Sequence, residues 1–153
     1  MRKILAASDG SDPSFRAIEF AAQLAAETGA ELVIVTVTEP IGFSDEALSA
    51  YAHAEHLSTT WGDLSEAGAK EVLFEASRRA AAKAAGRPIR TEWRTGRPAE
   101  EIARLAWEEE CELLVVGHVG RGQLAGIMLG SVAFKLLSLA PCPVTVVGTP
   151  PKR

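Results

Sequence analysis

The chain has 153 residues, of which 47% are hydrophobic and 24% charged, with a net charge of -4. That length suits one domain, residues 1 to 153, able to bury a core without disulfides or metal, and the composition argues against a disordered tail or a repeat array. No apolar run approaches the ~18 residues of a membrane span, and Met1-Arg2-Lys3-Ile4-Leu5 leads to Ser8-Asp9-Gly10 rather than to a signal-peptide core, so a cytoplasmic protein with no membrane partner is expected.

Cys111 and Cys142 have 30 residues between them and no CxxC spacing, which points to buried, reduced thiols rather than a zinc ribbon or a dithiol. The isoelectric point near 5.4 argues against a nucleic-acid surface, where values above about 9 are usual. The charge is uneven. Residues 1 to 112 carry all 20 acids, whereas residues 113 to 153 carry none and hold Arg121, Lys135, Lys152 and Arg153. An anionic ligand meets its least hostile ground near the C-terminal third.

In chain order, Lys3 to Ser8 forms a short apolar run stopped by Asp9-Gly10-Ser11-Asp12-Pro13, which reads as strand, turn and helix start. Phe15, Ile18, Ala22 and Ala25 fall on one helical face, and Gly29 suits the left-handed stop. Glu31 to Val37 is apolar on both faces, as a central parallel strand covered by helices should be. Thr38 to Leu64 is irregular, and a second helix is expected from Ser65 to Ala85, with Gly86-Arg87-Pro88 as its stop. Ile89 to Arg94 alternates in period two with one polar face, the pattern of an edge strand.

Gly96-Arg97-Pro98 then opens a helix with Glu100 and Glu101 in its first turn and Ile102, Leu105 and Ala106 facing inward. Leu113 to Val116 is a fourth, wholly apolar strand, followed by the glycine-rich stretch Gly117 to Gly130, a last helix from about Ser131 to before Pro141, and a fifth strand, Pro143 to Val147. This alternation predicts a doubly wound α/β domain with a five-stranded parallel sheet and helices on both faces. Ligands in such sheets bind outside the carboxyl ends of the strands, where Asp9 and Gly117 are placed.

Gly117-His118-Val119-Gly120, nine residues, then Gly130-Ser131, lies between a strand and a helix. Glycines let main-chain N–H groups approach an anion, and the helix start adds unpaired donors, so the stretch reads either as a phosphate site or as a plain surface loop. Ser131 is a candidate helix cap or phosphate donor, with Arg121 or Lys135 adding charge. Gln123-Leu124 stands where a P-loop needs Lys-[Ser/Thr], and Gly126 comes one residue too late for GxGxxG, which excludes both of those motifs. Asp9 reads either as an acceptor for ribose hydroxyls or as an Asx-turn or helix cap shared with Asp12. His53 and His56 are read as a solvent-facing pair rather than metal ligands, and Trp61, Trp93 and Trp107 as packing residues of a core or interface.

Lys3-Ile4-Leu5-Ala6-Ala7-Ser8-Asp9-Gly10-Ser11, Gly96-x-Pro98, Gly-x2-Gly-x9-Gly-Ser with Leu129-Gly130-Ser131-Val132, and Pro141-Cys142-Pro143-Val144 together resemble the universal stress protein family over most of residues 3 to 148. In that family the loop spacing marks members that bind ATP. The resemblance implies that Ala7, Asp9 and Val37 meet adenine and ribose, that Val116, Gly117 and Gly120 begin the phosphate loop, and that Gly130, Ser131 and Val132 end it. It further implies strand order 3-2-1-4-5 and a homodimer through Val144 to Val147. Thr36 departs from the histidine of many relatives, and Gly122 and Gly126 are additional glycines, which bears on affinity.

The functional expectation is an ATP-binding regulatory or stress-response protein, with Mg2+ arriving on the phosphates and occupancy ordering the Gly117 to Ser131 loop. Two alternatives are a slow ATPase and an interaction protein that has lost its ligand. No acid follows Glu112, so a catalytic base would have to be His118 or come from elsewhere, which disfavours efficient hydrolysis.

Overall fold

The computed structural model describes residues 1–39, 61–120 and 129–150. Five strands, β1 (Lys3–Ala7), β2 (Glu31–Thr38), β3 (Ile89–Thr95), β4 (Leu113–Gly117) and β5 (Val144–Val147), form an all-parallel sheet of order β3-β2-β1-β4-β5. The expected α/β fold, its strand order and the edge position of β3 are all observed. Among the described residues, four helices accompany the strands: α1 (Asp12–Thr28), α2 (Trp61–Ala81), α3 (Pro98–Glu108) and α4 (Ser131–Leu139).

Period-two alternation in the central strands divides the apolar residues between two cores. Ile4, Ala6, Leu32, Ile34 and Val115 face α1, which contributes Phe15, Ile18, Ala22 and Ala25, and α2, which contributes Ala76 and Ala80. Leu5, Val33, Val35, Leu114 and Val116 face Ile102, Leu105 and Ala106 of α3 and Ala133 and Leu136 of α4. The central strands are apolar throughout because both of their faces are covered.

The first helix starts and stops as its sequence dictates. Ser11 is its N-cap, its Oγ accepting the Ser14 N–H at 3.3 Å; Pro13 occupies the first turn; and Gly29 closes the helix at φ 77°, donating its N–H to the Ala25 carbonyl at 2.9 Å. The second helix departs from expectation, beginning at Trp61 rather than Ser65 and ending at Ala81 rather than Ala85. Gly62 and Asp63 read as loop punctuation, but one helical glycine costs only about 1 kcal/mol and aspartate is favoured in a first turn. Residues 40–60, with His53 and His56, lie outside the described residues.

The amino ends of the strands carry an ion-pair lattice. Lys3 of β1 pairs with Glu109 at 2.8 Å and with Glu31 of β2 at 3.8 Å, and Arg90 of β3 pairs with both of these acids. Trp93 is half-buried, its Nε1 donating to Thr38 Oγ1 at 2.8 Å. Trp107, by contrast, is 71% exposed and does not belong to the core, because α3 turns Ile102, Leu105 and Ala106 inward and places residue 107 on its opposite side.

Candidate functional site

Where β1 and β4 lie side by side, the chain leaves the sheet in opposite directions, and their carboxyl ends open a crevice. A cavity of about 190 Å3 occupies it. All nine residues singled out by the sequence, Ala7, Asp9, Val37, Val116, Gly117, Gly120, Gly130, Ser131 and Val132, line this one cavity.

Each wall follows from local chain chemistry. At the tip of β1, Ser8 is buried and its hydroxyl lies 2.8 Å from that of buried Ser14, while Gly10 N–H donates to Ser8 Oγ at 3.2 Å. Asp9 Oδ1 accepts the Ser11 N–H at 2.9 Å, an Asx-turn that fixes the carboxylate just ahead of α1. The turn reading of Asp9 is thus observed, and the residue still lines the cavity. Asp12 is the first residue of α1, and Ser11 alone holds the cap position.

The far wall is the glycine-rich loop, of which residues 121–128, including Arg121, Gly122 and Gly126, lie outside the described residues. Its two ends meet: Gly130 N–H donates to the His118 carbonyl at 2.6 Å, and His118 N–H donates to the Val147 carbonyl at 3.0 Å. A Cβ on Gly117 would lie 2.8 Å from the Pro13 carbonyl carbon and 2.9 Å from Ser14 N, so this glycine is needed for packing against α1. A Cβ on Gly120 would overlap Asp9 Oδ2, which places the loop and the β1 carboxylate against each other.

The N-cap of α4 is Gly130, at φ -73° and ψ 161°, and no side chain caps the helix. Ser131 is its first helical residue and is exposed, so of its two candidate roles the helix cap is not formed. Among the described residues no side chain caps the first N–H groups of α4, which begin at the cavity, at the positive end of the helix dipole. Lys135 is exposed and does not line the cavity.

Ser8, Ser14, Val35, Pro98, Ile102, His118, Val119 and Ala133 line the cavity without having been singled out as site residues. Val35 lies two residues before Val37 on the same face of β2, and Ile102 is one turn after Pro98, so periodicity could have found both. Asp9 is the one acid in the described lining and His118 the one imidazole. His118 Nε2 is 3.5 Å from Thr149 Oγ1, which accepts from Arg16 Nη2 at 3.0 Å, and His118 Nδ1 is buried without a partner.

The two thiols sit away from the cavity. Cys111 is buried and Cys142 half-buried, both unbonded, and burial raises the Cys111 thiol to about 11.

Residues 1–148 match the sequence model of the universal stress protein family. The chain belongs to this family. Among relatives, universal stress protein YxiE of Bacillus subtilis is 37% identical over 147 residues, covering 95% of this chain and 97% of its own. Universal stress protein UspA of Lactobacillus plantarum superposes with a TM-score of 0.77 at 25% identity, covering 95% and 97% of the two chains. A universal stress protein solved in complex with cAMP superposes at 0.71 with 31% identity, covering 97% and 98%.

Proposed function

We infer that this universal stress protein is a nucleotide-binding regulatory protein whose ligand is ATP. The carrying observation is the start of α4: a glycine N-cap, with no side-chain cap among the described residues, opening on a cavity whose opposite wall holds a carboxylate. Main-chain donors at a helix start suit phosphates, and a carboxylate suits ribose hydroxyls. The cavity is smaller than the roughly 300–1,000 Å3 of many ligand sites. In this reading, Ala7, Val35 and Val37 receive the base inside it, while the phosphates lie along Gly117, Gly120, Gly130, Ser131 and Val132 at its mouth. The solved relative holding cAMP supports an adenine nucleotide.

Mg2+ accompanies the phosphates. Its ligands in this reading are phosphate oxygens and water. The protein acts as a single cytoplasmic domain, and the β5 edge, Val144–Val147, pairs two copies into a homodimer. Phe134 and Leu137 are exposed on α4. Occupancy of the site orders the Gly117 to Ser131 loop and changes what a partner reads; residues 121–128, on which that change turns, lie outside the described residues.

Calorimetry with ATP, AMP and inorganic triphosphate tests the reading. ATP should bind more tightly than AMP, and Mg2+ should modulate ATP alone of the two. No heat and no thermal shift with any adenine nucleotide would overturn it.

A further inference from the structure

Two helix starts border the cavity, and they treat their donors differently. At α1 the chain satisfies itself. The amide of Ser8 donates to the Val35 carbonyl at 2.9 Å, that of Gly10 to Ser8 Oγ at 3.2 Å, that of Ser14 to Ser11 Oγ at 3.3 Å and that of Phe15 to the Ser11 carbonyl at 3.0 Å. At α4, among the described residues, no side chain takes the first amides.

The hydroxyls of Ser8 and Ser14, each 4% exposed and both in the cavity wall, can be assigned their protons. Ser14 Oγ lies 2.8 Å from the Ser11 carbonyl oxygen, which has no proton to give, so Ser14 is the donor in that contact. Its single proton is then used, and in the 2.8 Å contact between the two hydroxyls Ser8 must donate. Ser8 accepts from Gly10, Ser14 accepts from Ser8, and each oxygen keeps one lone pair but no proton. The two hydroxyls in this wall can therefore accept a hydrogen bond from a ligand and cannot give one.

We propose that Ser8 is a specificity-determining contact, held as an acceptor by Ser14, which turns a donor-bearing edge of the nucleotide toward α1 and leaves its phosphates to α4. The proposal rests on the nucleotide reading above, and it names the chemistry that meets Ser8: an N–H or O–H donor, from a base amino group or a sugar hydroxyl. A phosphate oxygen or a base carbonyl in the same place sets acceptor against acceptor and leaves both without a partner. Ser14 is a positioning residue, acting by taking the proton that Ser8 would otherwise present to the cavity.

Calorimetry with ATP, ITP, 2′-deoxy-ATP and 3′-deoxy-ATP on wild type, Ser14→Ala and Ser8→Ala tests this, with melting curves to establish folding. ITP carries a carbonyl in place of the 6-amino group, and each deoxy analogue lacks one sugar hydroxyl. Wild type should bind ATP roughly tenfold more tightly than at least one analogue, and that analogue identifies the donor. Ser14→Ala releases the Ser8 proton, so the ratio of ATP to analogue affinity should fall several-fold; Ser8→Ala should remove the ratio with the contact. A purely structural role would lower all four affinities alike. Wild type that binds ATP and the three analogues equally, or a ratio unchanged in folded Ser14→Ala, would overturn the proposal and leave the nucleotide reading standing; where Ser14→Ala does not fold, the same ratio in Ser8→Ala decides. Wild type that binds none of the four would overturn both.

Discussion

The amide of Gly130 donates to the carbonyl of His118 at 2.6 Å, so the segment leaving β4 is joined to the segment that begins α4. The stem of the glycine-rich loop is set by the protein's own backbone. In the nucleotide reading proposed above, such a stem costs little binding energy to order.

The three cavity glycines should respond differently to alanine. At Gly117 and Gly130 a Cβ meets backbone, 2.8 Å from Pro13 and 3.1 Å from Val119 respectively; at Gly120, among the described residues, it meets the end of the Asp9 side chain. Gly117→Ala and Gly130→Ala should lose about 1–3 kcal/mol and melt several degrees lower, while Gly120→Ala should melt close to wild type. Melting curves that place Gly120→Ala lowest would contradict this.

Ser11→Ala should cost about 1 kcal/mol, or roughly 2–4 °C in Tm, by removing the acceptor for Ser14 N–H. Ser11→Asp should restore most of it, since aspartate caps equally well. Failure of that rescue would show the hydroxyl acts elsewhere.

Acid should weaken the fold through its ion pairs. Hydrogen bonds from Arg78 and Arg79 hold the Glu75 carboxylate down to about 2, and Lys3 and Arg90 lower Glu109. A carboxylate whose folded pKa is depressed contributes stability above its unfolded pKa and loses it as pH falls toward the folded value. For Glu75 that window runs from 4.5 down to about 2. Urea midpoints should fall between pH 5 and pH 3, and Glu75→Gln should flatten part of that fall; identical slopes would remove Glu75 from the account.

The thiols should differ in reactivity. Cys111 is 7% exposed and its thiol is raised to about 11, whereas Cys142 is only half-buried and raised less by burial alone. At pH 8, iodoacetamide followed by mass spectrometry should label Cys142 first. Earlier labelling of Cys111 would mean that α3 opens more readily than its packing implies.

Much of the fold was legible because apolar runs such as Leu113 to Val116 admit one role, a strand covered on both faces. The positions of Asp9 and Gly117 followed from strand ends alone. Less legible were features decided by tertiary contact. The packing demand at Gly117 comes from Pro13 and Ser14, more than a hundred positions earlier, and no local pattern encodes it. The start of α2 at Trp61 was hidden because Gly62 and Asp63 signal turns unless packing overrides them. Serine at 131 looked like a cap, yet the preceding glycine takes that position, which depends on one residue of register.

The lattice of Lys3, Glu31, Arg90 and Glu109 fastens the amino ends of three strands, at the opposite pole of the sheet from the cleft. Anchorage and the lining of the cleft are therefore encoded by separate sets of positions. Descendants of this sequence can retune the cleft by altering its rim while the fastening at the other pole keeps the scaffold intact.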